Sequence, residues 1–196
     1  MRLLRIPILC CLLSCVLGCT PLWSIKLQTP ASPAVDRVIV EDARPAGERT
    51  FRPVDFAKLS YKSYLGDTNT TPSRIQILRA RVNDKASGLA DGVTIAVQRF
   101  EILSDLSGSS CKGCALAAVS YSAAIVAEGT RKAGDDSYLC SLTATVNGRP
   151  IISEAETYFR LGGFDSITSE PSSQALNLCI DNVIKLWLEN AKASQP

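Results

Sequence analysis

Residues 138–159 read YLCSLTATVNGRPIISEAETYF, and the fold is decided there. At the centre stands Asn147-Gly148, two residues that accept the positive φ angles of a tight hairpin turn. On the first arm Cys140, Leu142, Ala144 and Val146 alternate with Leu139, Ser141, Thr143 and Thr145, the period of two of a strand with one buried face. The apolar set is expected to face inward. Residues 151–159 form the returning arm, so the stretch reads as an antiparallel hairpin.

Beyond the hairpin, a helix is expected from Ser172 or Ser173 to about Ala191. Leu176, Ile180, Val183, Ile184 and Trp187 fall on one stripe at helical spacing, with Cys179 beside it. Residues 193–196 read as a frayed tail. Before the hairpin, residues 93–103 form a long strand in which Val93, Ile95 and Val97 share one face. Phe100 and Ile102 fall on the opposite parity and Arg99 stands where the inward face should continue, so a bulge is expected near Gln98. Residues 115–127 (ALAAVSYSAAIVA) are ambiguous. Alanine favours helix, whereas the alternation of Val119, Tyr121 and Ile125 favours strand; strand is preferred because a turn-rich segment and another strand follow.

Thr71-Pro72 reads as a helix start, a hydroxyl cap followed by proline at the first helical position. Ile75, Leu78, Val82, Ala86 and Leu89 then form the apolar side. Arg74, Arg79, Arg81 and Lys85 are expected on a solvated face, and Gly88 to end the helix. Val38-Ile39-Val40 is a short β-branched strand closed by Asp42, Ala43, Arg44 and Pro45. Residues 48–64 carry no firm pattern. The order strand, helix, strand, strand, hairpin, helix predicts an α+β fold: a mostly antiparallel sheet packed with two helices on one face. One domain is expected over residues 36–192.

The N-terminus carries different information. Arg2 and Arg5 precede an apolar run over residues 6–17, broken only by Pro7 and Ser14. This is the basic and apolar pattern of an export signal, too short for the ~20 apolar residues that a spanning helix needs. The run ends in Val16-Leu17-Gly18-Cys19, which resembles a bacterial lipobox. That resemblance implies cleavage after Gly18, diacylglycerylation of the Cys19 thiol and acylation of the new amino terminus, which together anchor far more firmly than one chain. Leu12-Leu13-Ser14-Cys15 is a competing match with a much shorter apolar run, and Cys19 is preferred. Thr20, rather than aspartate, follows the cysteine; by similarity to enterobacterial sorting this implies the outer membrane, on its periplasmic side. Residues 1–18 are therefore read as signal peptide and residues 19–35, which are rich in proline, as lipid anchor and tether.

Composition narrows the function. Loss of Arg2 and Arg5 takes the 21 basic residues to 19, equal to the 19 acidic ones. A neutral chain without a basic cluster gives no reason to expect nucleic acid as a partner. Histidine is absent from the chain, which removes the commonest general base and metal ligand, and with them Ser-His-Asp triads and His-containing zinc sites. No catalytic constellation, metal site or cofactor motif is recognised. With Cys10, Cys11 and Cys15 in the signal and Cys19 as anchor, Cys111, Cys114, Cys140 and Cys179 remain, an even number suited to an oxidising compartment. Three pairings are possible. Cys111-Lys112-Gly113-Cys114 is read as a structural disulfide in a Ser/Gly-rich loop, with a thiol–disulfide redox pair and half a zinc site as the alternatives. Cys140 on the inward face and Cys179 beside the helix stripe are then expected to pair, joining helix to sheet.

Val38-Ile39-Val40-Glu41-Asp42-Ala43-Arg44-Pro45 after a lipobox, with a closing helix over residues 175–188, resembles the YajG-type group of small envelope lipoproteins; the transport-auxiliary lipoproteins share a similar layout. The resemblance implies a non-enzymatic envelope component that binds an envelope protein or a lipid while held on the membrane through acylated Cys19. No catalytic residue comes with it. Asp42 and Arg44 are the candidate binding pair, with a local turn salt bridge as the simpler role.

Overall fold

The computed structural model describes residues 23–30, 37–54, 62–106, 136–161 and 166–193. Among these the fold is α+β, a mostly antiparallel sheet packed against helices, as the sequence implies. The strands are β1 (Ile25–Lys26), β2 (Ile39–Asp42), β3 (Arg52–Pro53), β4 (Lys62–Tyr64), β5 (Thr70–Thr71), β6 (Thr94–Asp105), β7 (Asp136–Val146) and β8 (Arg149–Phe159). The helices are α1 (Arg74–Lys85) and α2 (Glu170–Ala193), with short 3₁₀ turns at Ala46–Arg49 and Asp67–Asn69.

The hairpin forms with Asn147 at φ 51° and Gly148 at φ 77°, the pair of left-handed conformations that matches strand twist. Its register runs from Val146↔Arg149 to Asp136↔Phe159. β6 lies antiparallel on the other side of β7, and the register slips between Val97 and Arg99. This bulge returns Phe100 and Ile102 to the buried face that Ile95 and Val97 begin. The expected inward set Cys140, Leu142, Ala144 and Val146 is buried, and α2 covers it with Leu176, Ile180, Val183, Ile184 and Trp187, all buried. Trp187 donates its indole N–H to the Ile151 carbonyl at 3.2 Å. Cys140 and Cys179 come to disulfide distance across this interface, Cα atoms 6.0 Å apart. This is the expected link from helix to sheet.

The far edge of β6 is shared by two strands. β2 pairs parallel with its first half, Ile39↔Thr94 to Asp42↔Val97, and β4 antiparallel with its second, Tyr64↔Leu103 to Lys62↔Asp105. Neither strand pairs with Phe100, which falls between them. β3 pairs with β4, and β1 with β5 in a separate two-stranded ribbon.

Three expectations need correction. α1 begins two residues later than expected: Thr71 is committed to β5, where its carbonyl accepts from Leu27 N at 2.8 Å. Ser73 is the N-cap instead, its N–H held by Gln76 Oε1 at 3.0 Å. The helix ends at Lys85, and Gly88 serves the turn after it at φ 102°. Second, Arg74 and Arg81 are buried rather than on a solvated face; their guanidinium groups reach the backbone carbonyls of Phe100 and Glu48 and of Gln28 and Asn177.

Third, the segment read as tether is docked over residues 23–30. Ile25 and Leu27 are buried. Ser173 Oγ donates to the Lys26 carbonyl at 2.6 Å, and Gln28 N to Asn177 Oδ1 at 3.0 Å. Arg81 Nη2 reaches the Gln28 carbonyl at 2.9 Å and Nη1 the Asn177 carbonyl at 2.8 Å. A single guanidinium thus fastens this segment and α2 to α1. Apolar residues alternating at Ile25 and Leu27 give the segment a face to bury, which the prolines around it obscure. The residue-115–127 segment, Cys111, Cys114, Gly18 and Cys19 lie outside the described residues, as does the 193–196 tail beyond Ala193.

Candidate functional site

The gap in the edge of β6 is filled by side chains. At the bulge, the Phe100 N–H and C=O both point to the side where no strand pairs with them. Glu48, from the first 3₁₀ turn, accepts the Phe100 N–H on Oε1 at 2.7 Å. Arg74, from the first turn of α1, donates Nη1 to the Phe100 carbonyl at 2.6 Å and Nη2 to the Glu48 carbonyl at 2.6 Å. Two side chains so replace one residue of a missing strand, meeting the requirement that buried backbone groups be paired.

The candidate pair Asp42 and Arg44 belongs to the same cluster. Arg44 Nε and Nη2 bond the two Asp42 oxygens at 2.8 and 3.1 Å, and Nη1 and Nη2 bond the two Asp67 oxygens at 3.2 and 2.9 Å. Asp67 Oδ1 also accepts Arg74 Nε at 3.0 Å, so one carboxylate bridges both guanidinium groups. Glu48 Oε1 lies 3.8 Å from Arg44 Nη1. The Arg44 and Arg74 side chains have no exposed surface, while Asp42 and Asp67 keep 21 % of theirs. Of the two roles open to the pair, the structure shows the turn salt bridge, extended to Asp67.

The electrostatics follow the geometry. Burial opposes the charge of Arg44, but the bonds from Asp42 and Asp67 outweigh it and hold its pKa above the ordinary arginine value. Arg74, more deeply buried, is pulled down by desolvation, with Asp67 opposing. Glu48 is pushed up by burial, against the Phe100 N–H and the two arginines. Asp42 is held below its ordinary value by the bond from Arg44, against partial burial. A carboxylate whose folded pKa is depressed contributes stability above its unfolded value, lost as pH falls through the folded one. Asp42→Asn is thus expected to lower stability by about 1–3 kcal/mol at neutral pH. The gap from wild type should close as the pH drops below the unfolded value of 3.8, which urea titrations over that range will show; a gap that stays constant in acid refutes the assignment.

Such a cluster is structural chemistry. Its donors and acceptors are turned on one another and on backbone, and neither guanidinium has a face toward solvent. Glu48, Asp67 and Arg74 had no place among the sequence candidates. The signal that could have found them is weak: an arginine at the first position of a helix, where a cation is out of place beside the positive end of the helix dipole.

Elsewhere, an open groove of about 530 Å³ lies between the turn at Asp91 and Gly92 and the hairpin turn at Asn147 and Gly148. Asp91 is the one ionisable side chain among its lining residues, so it offers hydrogen bonds but no acid–base pair. Among the described residues, no group of three or more His, Cys, Asp or Glu side chains is arranged to hold a metal ion. No helix there is long and apolar enough to cross a membrane. Comparison with protein-family models and with curated proteins found no match to this chain.

Proposed function

We propose that the chain is an exported lipoprotein, held by acylated Cys19 on the periplasmic face of the bacterial outer membrane, whose domain binds an envelope protein or lipid without catalysing a reaction. One observation carries this reading: Val16-Leu17-Gly18-Cys19 closes an arginine-led apolar run of signal-peptide length. The absence of histidine from the sequence favours a binding role over acid–base catalysis. The cysteine pair at disulfide distance on α2 and β7 suits an oxidising space.

Cys19→Ser removes the nucleophile on which both acyl transfer and anchoring depend. The variant is expected to move from the membrane pellet to the soluble fraction while its unfolding curve stays that of the wild type. Retention in membranes through a high-salt wash would overturn the acyl anchor.

A further inference from the structure

We infer that the face carrying Trp23 and Phe51 rests directly on the bilayer, an inference that depends on the anchoring of Cys19 proposed above. Trp23 is the first described residue and lies four positions after Cys19. A chain of that length spans at most about 14 Å when fully extended. The headgroup layer takes about 5–8 Å of it on each side of the hydrocarbon, so the remaining reach is roughly one layer of side chains. Residues 25–28 leave no slack. β1 is paired with β5, Ile25 and Leu27 are buried, and Lys26 and Gln28 are bonded to Ser173 and Asn177.

The surface at the start of this segment suits a membrane. Trp23 packs edge-on against Phe51, ring centroids 6.1 Å apart at 85°, and both remain partly exposed. Aromatic side chains of this kind collect at the level of the headgroups. A flexible tether would let any face meet the bilayer; the docked segment selects this one.

Trp23 and Trp187 are the only tryptophans, and Trp187 is wholly buried in the core, so fluorescence can read the contact in the intact chain. The protein is extracted from bacterial membranes in detergent and reconstituted into phosphatidylethanolamine–phosphatidylglycerol vesicles with plain or brominated acyl chains. Brominated lipid is expected to quench the emission of the wild type, and the loss should vanish in Trp23→Phe, whose remaining emission comes from Trp187. Wild-type protein that floats with the vesicles yet is not quenched overturns the contact while leaving the anchor intact. Protein that does not float, and whose amino terminus carries no acyl mass, overturns the anchor and the contact with it.

Discussion

Arg74→Met is expected to lower the stability of the domain by about 3–5 kcal/mol, the cost of breaking a buried ion pair by removing one partner. Methionine matches the volume of the arginine stem and leaves the packing of α1 largely filled. It cannot donate. The Phe100 and Glu48 carbonyls then lose their 2.6 Å partners in the interior, and the negative charge around Asp67 and Glu48 is left with Arg44 alone. Urea unfolding followed by circular dichroism measures the loss. Arg79→Met is the control on the same helix: that side chain is exposed and bonds a single carbonyl, of Val40, so its loss should be a small fraction of the Arg74 effect. Arg74→Lys keeps the charge but not the fork that spans two carbonyls and Asp67, and should fall between. Equal, small losses for Arg74→Met and Arg79→Met would show that the guanidinium is not bridging the gap in β6.

Reduction should have an effect of similar size. Cys140 and Cys179 are 39 residues apart in sequence and 6.0 Å apart at their Cα atoms. Closing a loop of that length in the unfolded chain is worth about 4 kcal/mol by the chain-entropy relation, or about 8–15 °C in melting temperature for a domain of this size. Both cysteines are fully buried, so equilibrium unfolding with and without dithiothreitol is the appropriate measurement. A double Cys140→Ala, Cys179→Ala variant should lose this share of the response to the reductant, any remainder belonging to Cys111 and Cys114. If the wild type unfolds at the same urea concentration under both conditions, the two sulfurs are thiols and the helix is held to the sheet by packing alone.

The parts of this molecule that are legible in its sequence are those whose cause is local. The hairpin follows from Asn147-Gly148 and the alternation beside it. The bulge follows from a change of parity between Val97 and Phe100, and α2 from its 3.6-residue stripe. Even the Cys140 and Cys179 contact follows from two such local faces meeting. The misread parts are those whose cause lies far along the chain. Arg74 and Arg81 look like ordinary solvated helix residues, because nothing near them signals the Phe100 carbonyl 26 positions on or the Asn177 carbonyl 96 positions on. Residues 23–30 look like a linker because their partners Thr71, Ser173 and Asn177 belong to other elements. Asp42 and Arg44 were visible as a pair, being two residues apart, but only the fold shows that Asp67 occupies the other side of the guanidinium.

Ser173 and Asn177, which hold Lys26 and Gln28, follow them in the chain by 147 and 149 positions. Until α2 is in place the early segment lacks much of the surface on which it lies. Its docking therefore depends on that of α2. A fragment that stops before α2 would release its own N-terminal residues as well as uncover the sheet. Any factor that accompanies the unfinished chain meets Ile25 and Leu27 as apolar side chains that the finished protein no longer offers.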